Sequence, residues 1–419
     1  MHEHLTRELF RAISGGWRNP GDLAAIALAH LFELCPHCRR EFEFWRQALE
    51  DESSAPEGAD YEAVIEGIRA RVEEPPGGSE APIQSEIRGA RSRAEEILRL
   101  GPEQQAEWIR TESGRLAGPL LAEVLIEEGW RRTPAYPHDG YTLACLARLV
   151  LHHLPASLRT TALYARALAH MANSVRVIGD LPRAEQILGD ARYFLRSHGG
   201  GDRLVRAELD SLEGSLRNDQ ERSEEAVRLL LRALMTSRLE QMAGRTAAIL
   251  VKLAGTHIRL NEPRRSLSLL IEAEKVLDSE PDPRLRLLIL HNRALGLCYS
   301  GYSKQAQALL DKSAELAGSQ DQPLNILRRS WISGKAAWKL ADLDLAEERF
   351  VSVREGFSCR GLRNDTAEAS MDLCGLYLEQ GRRKEAEGLA ETALPVFEEL
   401  GLPAKAAAAR ALRARAASA

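Results

Sequence analysis

Residues 301–313 read GYSKQAQALLDKS, and residues 381–393 read GRRKEAEGLAETA. In both, a Gly is followed five positions on by Ala306 or Ala386, and seven positions after that by Ser313 or Ala393. Working outward, the same small position recurs at Ala184, Ala226, Ser266, Ala306, Ala346 and Ala386, with gaps of 42, 40, 40, 40 and 40. Twelve residues before each stands another small side chain: Ala172, Gly214, Ala254, Ala294, Gly334 and Cys374. Four residues after come Leu188, Leu230, Leu270, Leu310, Phe350 and Ala390, bulky in all but the last unit. Seven residues after come Ala191, Ala233, Ala273, Ser313, Val353 and Ala393.

That spacing dictates paired helices. Two antiparallel helices approach closely only where the facing side chains are small, and a Leu or Phe one turn away fills the space beside them. Gly179, Gly301 and Gly381, each five residues before a small position, supply the left-handed backbone that ends the first helix of a pair. One hairpin leaves an apolar face uncovered, and stacking the next hairpin buries it. The expected fold is therefore all-α, an α-solenoid of helical hairpins.

The arrangement resembles the tetratricopeptide repeat, over roughly residues 159–400 in six units. The family period is about 34 residues. Here it is 40, which implies longer helices, a lengthening found in bacterial regulators of this kind. The resemblance implies a scaffold that binds a protein or peptide partner. The Ala-rich end, AKAAAARALRARAASA, reads as a C-terminal capping helix, so the solenoid is expected to span 159–419.

Ahead of the repeat the chain changes character. Residues 83–158 are helical but irregular, broken at Gly101-Pro102, at Gly118-Pro119 and at the PAYPHDG turn of 134–140, with 120–130 and 141–154 forming an antiparallel hairpin. Residues 51–82 contain DESSAPEGAD and EEPPGGSEAP, rich in Pro, Gly, Ser and acid, and read as a flexible tether. Residues 1–50 show helical periodicity and form a small head. Acid outnumbers base 16 to 8 over residues 1–82, although the 419-residue chain has a net charge of only −5. No basic surplus suggests nucleic-acid binding. No apolar run reaches the roughly 20 residues of a membrane span, no apolar signal core opens the chain, and six cysteines are too few for a disulfide scaffold. A reduced, cytoplasmic protein is expected.

The head carries His30-Leu-Phe-Glu-Leu-Cys35-Pro-His-Cys38. A C-x2-C knuckle lets both thiolates reach one ion, and a His near the end of the preceding helix supplies a third ligand. Structural Zn²⁺ takes four ligands. His4, on a helix that must pack against the other two, is the preferred fourth, with His2 and His37 as the other candidates. This pattern resembles the zinc-binding anti-sigma domains, which place a ligand in helix one and then His-x3-Cys-x2-Cys. Here the His–Cys gap is four residues, and the upstream ligand is His rather than Cys. The resemblance implies a sigma factor as a possible partner. A buried, reduced cysteine pair beside an incidental His is the second reading, and a redox or catalytic cysteine pair is the third.

In a solenoid of this kind the first helix of each unit lines the concave surface. In the fifth unit that places Arg328, Trp331, Lys335 and Trp338 on one stripe, at i, i+3, i+7 and i+10, with His291 of the preceding unit at the position of Trp331. Two aromatics and two cations suit an extended peptide or acidic segment. The competing reading makes both Trp residues spacers between stacked helices. H-E-x-x-H, G-x-S-x-G, G-x-G-x-x-G and G-x4-G-K-[ST] are all absent from the sequence. The expected function is a non-enzymatic adaptor or regulator with a zinc-stabilised, anti-sigma-like head. The alternative is a regulatory subunit or peptide receptor controlling a separately encoded enzyme such as a protease.

Overall fold

The computed structural model describes residues 80–101, 104–105, 107–108, 118–198, 203–278, 282–318 and 323–418. The expected zinc ligands His4, His30, Cys35 and Cys38 lie outside the described residues. The chain divides into two units, residues 1–82 and 83–419, and the described residues fall almost wholly in the second.

Among the described residues there are helices and no strands. Three helices lead in: α1 (Glu80–Arg99), α2 (Pro119–Arg132) and α3 (Pro137–His152). Six hairpins follow. They are α4 (Leu158–Ile178) with α5 (Leu181–Ser197), α6 (Arg203–Asp219) with α7 (Ser223–Leu239), and α8 (Ala243–Arg259) with α9 (Pro263–Leu277). Then come α10 (Pro283–Tyr299) with α11 (Ser303–Ala317), α12 (Pro323–Lys339) with α13 (Leu343–Ser358), and α14 (Arg363–Glu379) with α15 (Arg383–Glu399). A single helix, α16 (Pro403–Ala417), ends the stack.

The small-residue columns meet as the spacing requires. A Cβ on Gly214 would lie 2.8 Å from Leu230 Cγ, and one on Gly334 would lie 2.8 Å from Phe350 Cε1. The position twelve before the reference residue thus receives the bulky side chain four after it. In the sixth unit the Sγ of Cys374 donates to the carbonyl of Ala386 at 3.2 Å. Leu230, Leu270, Phe350 and Ala390 are all wholly buried. Each buried Leu or Phe of that column contributes about 2 kcal/mol of transfer free energy.

Every hairpin turns in the same way. The residue five before the reference position is left-handed: Gly179, Glu221, Asn261, Gly301, Ala341 and Gly381, with φ of 106°, 64°, 58°, 85°, 61° and 74°. The next residue then donates its N–H five positions back. These bonds run from Asp180 to Val175, Arg222 to Arg217, Glu262 to His257, Tyr302 to Leu297, Asp342 to Ala337 and Arg382 to Tyr377, at 2.8–3.1 Å. That is the Schellman closure of a helix end.

The lead-in differs from expectation at one place. Pro137 to Gly140, read as part of a turn, form the first turn of α3. Pro is favoured at that position because its missing N–H has no partner to lose. Gly140 is there for contact: a Cβ would sit 2.2 Å from Thr133 Oγ1. That hydroxyl donates to the Gly129 carbonyl at 2.8 Å and lies 3.0 Å from Ser174 Oγ, tying α2 and α3 to α4.

The stack curls far enough for its end to meet its beginning. One apolar cluster contains Leu168, Leu188 and Leu209 of α4–α6 together with Ala367, Phe397 and Ala406 of α14–α16.

Candidate ligand-binding face

Two registers of the first helices carry most of the inward charge. Eighteen residues before the reference position lie Arg166, Glu208, Arg328 and Glu368; fourteen before it lie His170, Lys252 and Asp372. Successive first helices pair through them: Arg166 with Glu208 at 3.1 Å, and Asp372 with Lys335, which stands eleven before its own reference position. Arg176 pairs with Asp219, which also lies 3.7 Å from Arg259. Non-adjacent helices reach one another as well. Burial works against the charge on Arg259, but Glu368 and Asp365 of α14, with Asp219 and Glu221, raise its pKa. Glu368 in turn accepts from Lys405 at 2.5 Å. First helices from both halves of the stack therefore face one interior.

On that face, between α2, α4, α6, α7 and α8, lies a cavity of about 370 Å³. Its floor is apolar, with Leu212, Ala248 and Ile249. Glu208 sits in its wall. It pairs with His170 Nε2 at 2.6 Å, and its Oε2 accepts from Arg166 at 3.1 Å and Arg245 at 3.2 Å. Burial alone would push this carboxyl up, but the His170 bond and the Arg166 and Arg245 charges hold it well below the usual carboxylate range. His170 Nδ1 is buried with no hydrogen-bond partner among the described residues.

Lys252, beside it, has no such compensation. Its Nζ donates to Ser211 Oγ at 2.8 Å and to the Ser211 carbonyl at 3.3 Å. Among the described residues no carboxylate pairs with it. Burial lowers its pKa, Arg176 lowers it further, and Glu208 offsets only part, leaving it at about 7. This arrangement is an apolar pocket with convergent polar groups, the usual form of a small-ligand site.

The residues singled out in the sequence lie on α10 and α12, and none of them lines this cavity. Trp331 and Lys335 come together: the Lys335 Nζ lies 5.1 Å from the indole centroid, and both side chains donate to Asp372, Trp331 at 2.7 Å. Burial disfavours the Lys335 charge, but Asp372 outweighs it and raises the pKa. Trp338 lies apart from that pair. It donates to Glu379 at 2.7 Å, packs edge-on against Phe350, and rests where a Cβ on Gly375 would be 2.7 Å from its ring. Arg328 is half-buried, with burial lowering its pKa against the attraction of Asp365. His291 is buried on α10. Both indoles thus bridge α12 to α14, and both are half-buried.

Sequence reasoning missed Glu208, His170, Arg166, Arg245 and Lys252. The signal was present in part: the register that placed Arg328 on the inner face places Arg166 and Glu208 there too.

The chain matches no protein-family model, and no curated protein proves a significant relative. Its fold has solved counterparts. The solenoid is similar to a Rap protein complexed with competence and sporulation factor, at 14% identity and a TM-score of 0.57, over 71% of this chain and 82% of that one. It is also similar to NprR in complex with its cognate peptide NprX, at 12% identity and a TM-score of 0.54, over 70% of this chain and 84% of that one. At such identities the likeness is one of fold.

Proposed function

We propose that this protein is a non-enzymatic, cytoplasmic regulator whose solenoid binds a peptide or an extended protein segment on its inner face. The observation that carries this reading is the cavity between α4, α6 and α8, where an apolar floor lies beside Arg245, Lys252 and Glu208. The two solved structures of similar fold support it, since one holds a competence and sporulation factor and the other its cognate peptide. The Trp331–Lys335–Asp372 group, half-buried between α12 and α14, would meet the far end of a longer ligand.

The head completes the proposal from sequence alone. His30, Cys35, Cys38 and His4 hold one structural Zn²⁺, and an anti-sigma-like head contacts a second protein, a sigma factor or an enzyme such as a protease. Zinc measured on the purified chain is expected at one per molecule and lost in Cys35→Ser.

The solenoid reading is tested by mixing full-length protein with a pool of random octapeptides and identifying by mass spectrometry those retained after gel filtration. Retention by the wild type, and its loss in Arg166→Ala/Arg245→Ala, supports the reading. Retention unaffected by that pair of changes places the ligand off this face.

A further inference from the structure

Resting on the peptide-binding reading, we infer that the cavity beside Lys252 is a carboxylate seat: it takes its ligand by an acidic group, with the apolar floor accepting the rest. Four cations line the cavity, Arg131, Arg166, Arg245 and Lys252, against two carboxylates, Glu127 and Glu208. Glu208 is already engaged by Arg166, His170 and Arg245, so it has little left to offer a cationic ligand. Arg131 stands at the rim with Glu128 at 3.8 Å and is half exposed. The uncompensated charge is Lys252.

An ammonium has three donors. Ser211 takes two of those of Lys252, both on neutral oxygens. Burying a cation without a counter-charge is expensive, and the deficit disappears when an anion enters. A neutral ligand would leave the deficit in place, and a cationic one would deepen it. Arg245, which shares Glu208 with two other donors, stands on the same helix as Lys252 and can turn part of its planar fork to the incoming oxygens. Leu212, Ala248 and Ile249 then cover the carbon skeleton next to the acid. The acid has two possible sources in a peptide, a C-terminal carboxylate or an Asp or Glu side chain, and both present the same two oxygens.

The experiment uses full-length protein and two pools of random octapeptides, one with free C-termini and one amidated, with retained peptides sequenced. Lys252→Met and Lys252→Arg are run beside the wild type, with a thermal melt of each to show folding. The wild type is expected to enrich acid at least tenfold over its share of the pool. Enrichment of free over amidated C-termini assigns the seat to the terminus; enrichment of Asp or Glu in both pools assigns it to a side chain. Lys252→Met loses the acid preference while keeping the apolar preferences, and Lys252→Arg retains it. Retention without acid enrichment, or equal enrichment in Lys252→Met, overturns the seat and leaves the peptide-binding reading standing. No retention by the wild type overturns both. Should Lys252→Met fail to melt cooperatively, the Lys252→Gln variant is read in its place.

Discussion

Glu221 caps the helix that contains Lys405. From the turn between α6 and α7, its carboxylate accepts the backbone N–H groups of Ala404 and Lys405 at 2.8 and 2.9 Å, across 183 and 184 positions of chain. Those are donors that the first turn of a helix leaves unpaired, and an anion there also meets the positive end of the helix dipole. Glu221 holds that place at φ 64°, a backbone region unfavourable to a side chain of its kind. The last helix is therefore fastened to the second hairpin, and the interior that holds Lys252 and Asp372 is closed by this contact.

Replacing Glu221 by Ala is expected to remove two charge-assisted bonds and destabilise the protein by about 1–2 kcal/mol. The local readout is hydrogen exchange. The amides of Ala404 and Lys405 should lose protection in the variant while those in the middle of α8 keep theirs. Unchanged protection at both amides would show that the end of the stack is not held there in solution.

The turn at Ala341 makes the opposite prediction. Ala341 is exposed and left-handed at φ 61°, in the register that Gly occupies at 301 and 381. No side-chain contact is lost on mutation to Gly, while the clash of Cβ with the backbone is relieved. Ala341→Gly should raise stability by about 0.5–1 kcal/mol, less than the full left-handed penalty because Gly gains entropy in the unfolded chain. A urea midpoint no higher than the wild type's would mean that the turn relaxes to accommodate its Cβ.

Gly334 and Phe350 test the packing rule itself. A methyl group on Gly334 would be driven into the Phe350 ring, with Arg349 Cβ also only 3.1 Å away. Gly334→Ala should therefore destabilise by about 1–3 kcal/mol. Phe350→Leu, which thins the facing side chain, should be costly alone, yet the two together should cost less than their sum by at least about 0.5 kcal/mol. Strict additivity in urea unfolding would show that the two positions do not share one space.

The hairpins were legible in the sequence because close approach leaves a mark at every unit: Ala184, Ala226, Ser266, Ala306, Ala346 and Ala386 cannot be large. The turns were only half legible. Three carry Gly, but Glu221, Asn261 and Ala341 adopt the same φ without it, because the 6→1 bond and the packing around it outweigh the local preference. The fastening at Glu221 could not be read at all, since it depends on how far the stack curls, a sum of small rotations over many units. The site was legible as a face and not as a place. Two Trp residues drew attention to the fifth unit, where both bridge α12 to α14. The cavity is walled by Arg166, Glu208 and Lys252, common residue types whose meaning comes only from which carboxylate is already taken.

That last distinction has a measurable consequence in pH. Lys252 releases its proton near pH 7 in the folded protein, against 10.5 when unperturbed. Between those values the unfolded chain binds more protons than the folded one, so this group makes stability rise with pH across the window. Below pH 7 both states carry the charge, and the folded state bears the full burden of holding it. Asp365 works in the other direction. Burial raises its carboxyl from 3.8 to about 6, Arg328 opposing and Glu368 and Asp219 adding to the rise. The folded state then binds the extra proton, and stability from this group falls as pH rises from about 4 to 6. Lys252→Met should accordingly be more stable than the wild type at pH 6, with the advantage shrinking as the pH approaches 10. Asp365→Asn should show no advantage at pH 4 and a full one above pH 6. Urea midpoints of the three proteins at pH 4, 6, 8 and 10 separate these effects, and parallel curves for wild type and Lys252→Met would mean that the ammonium keeps its counter-charge in solution.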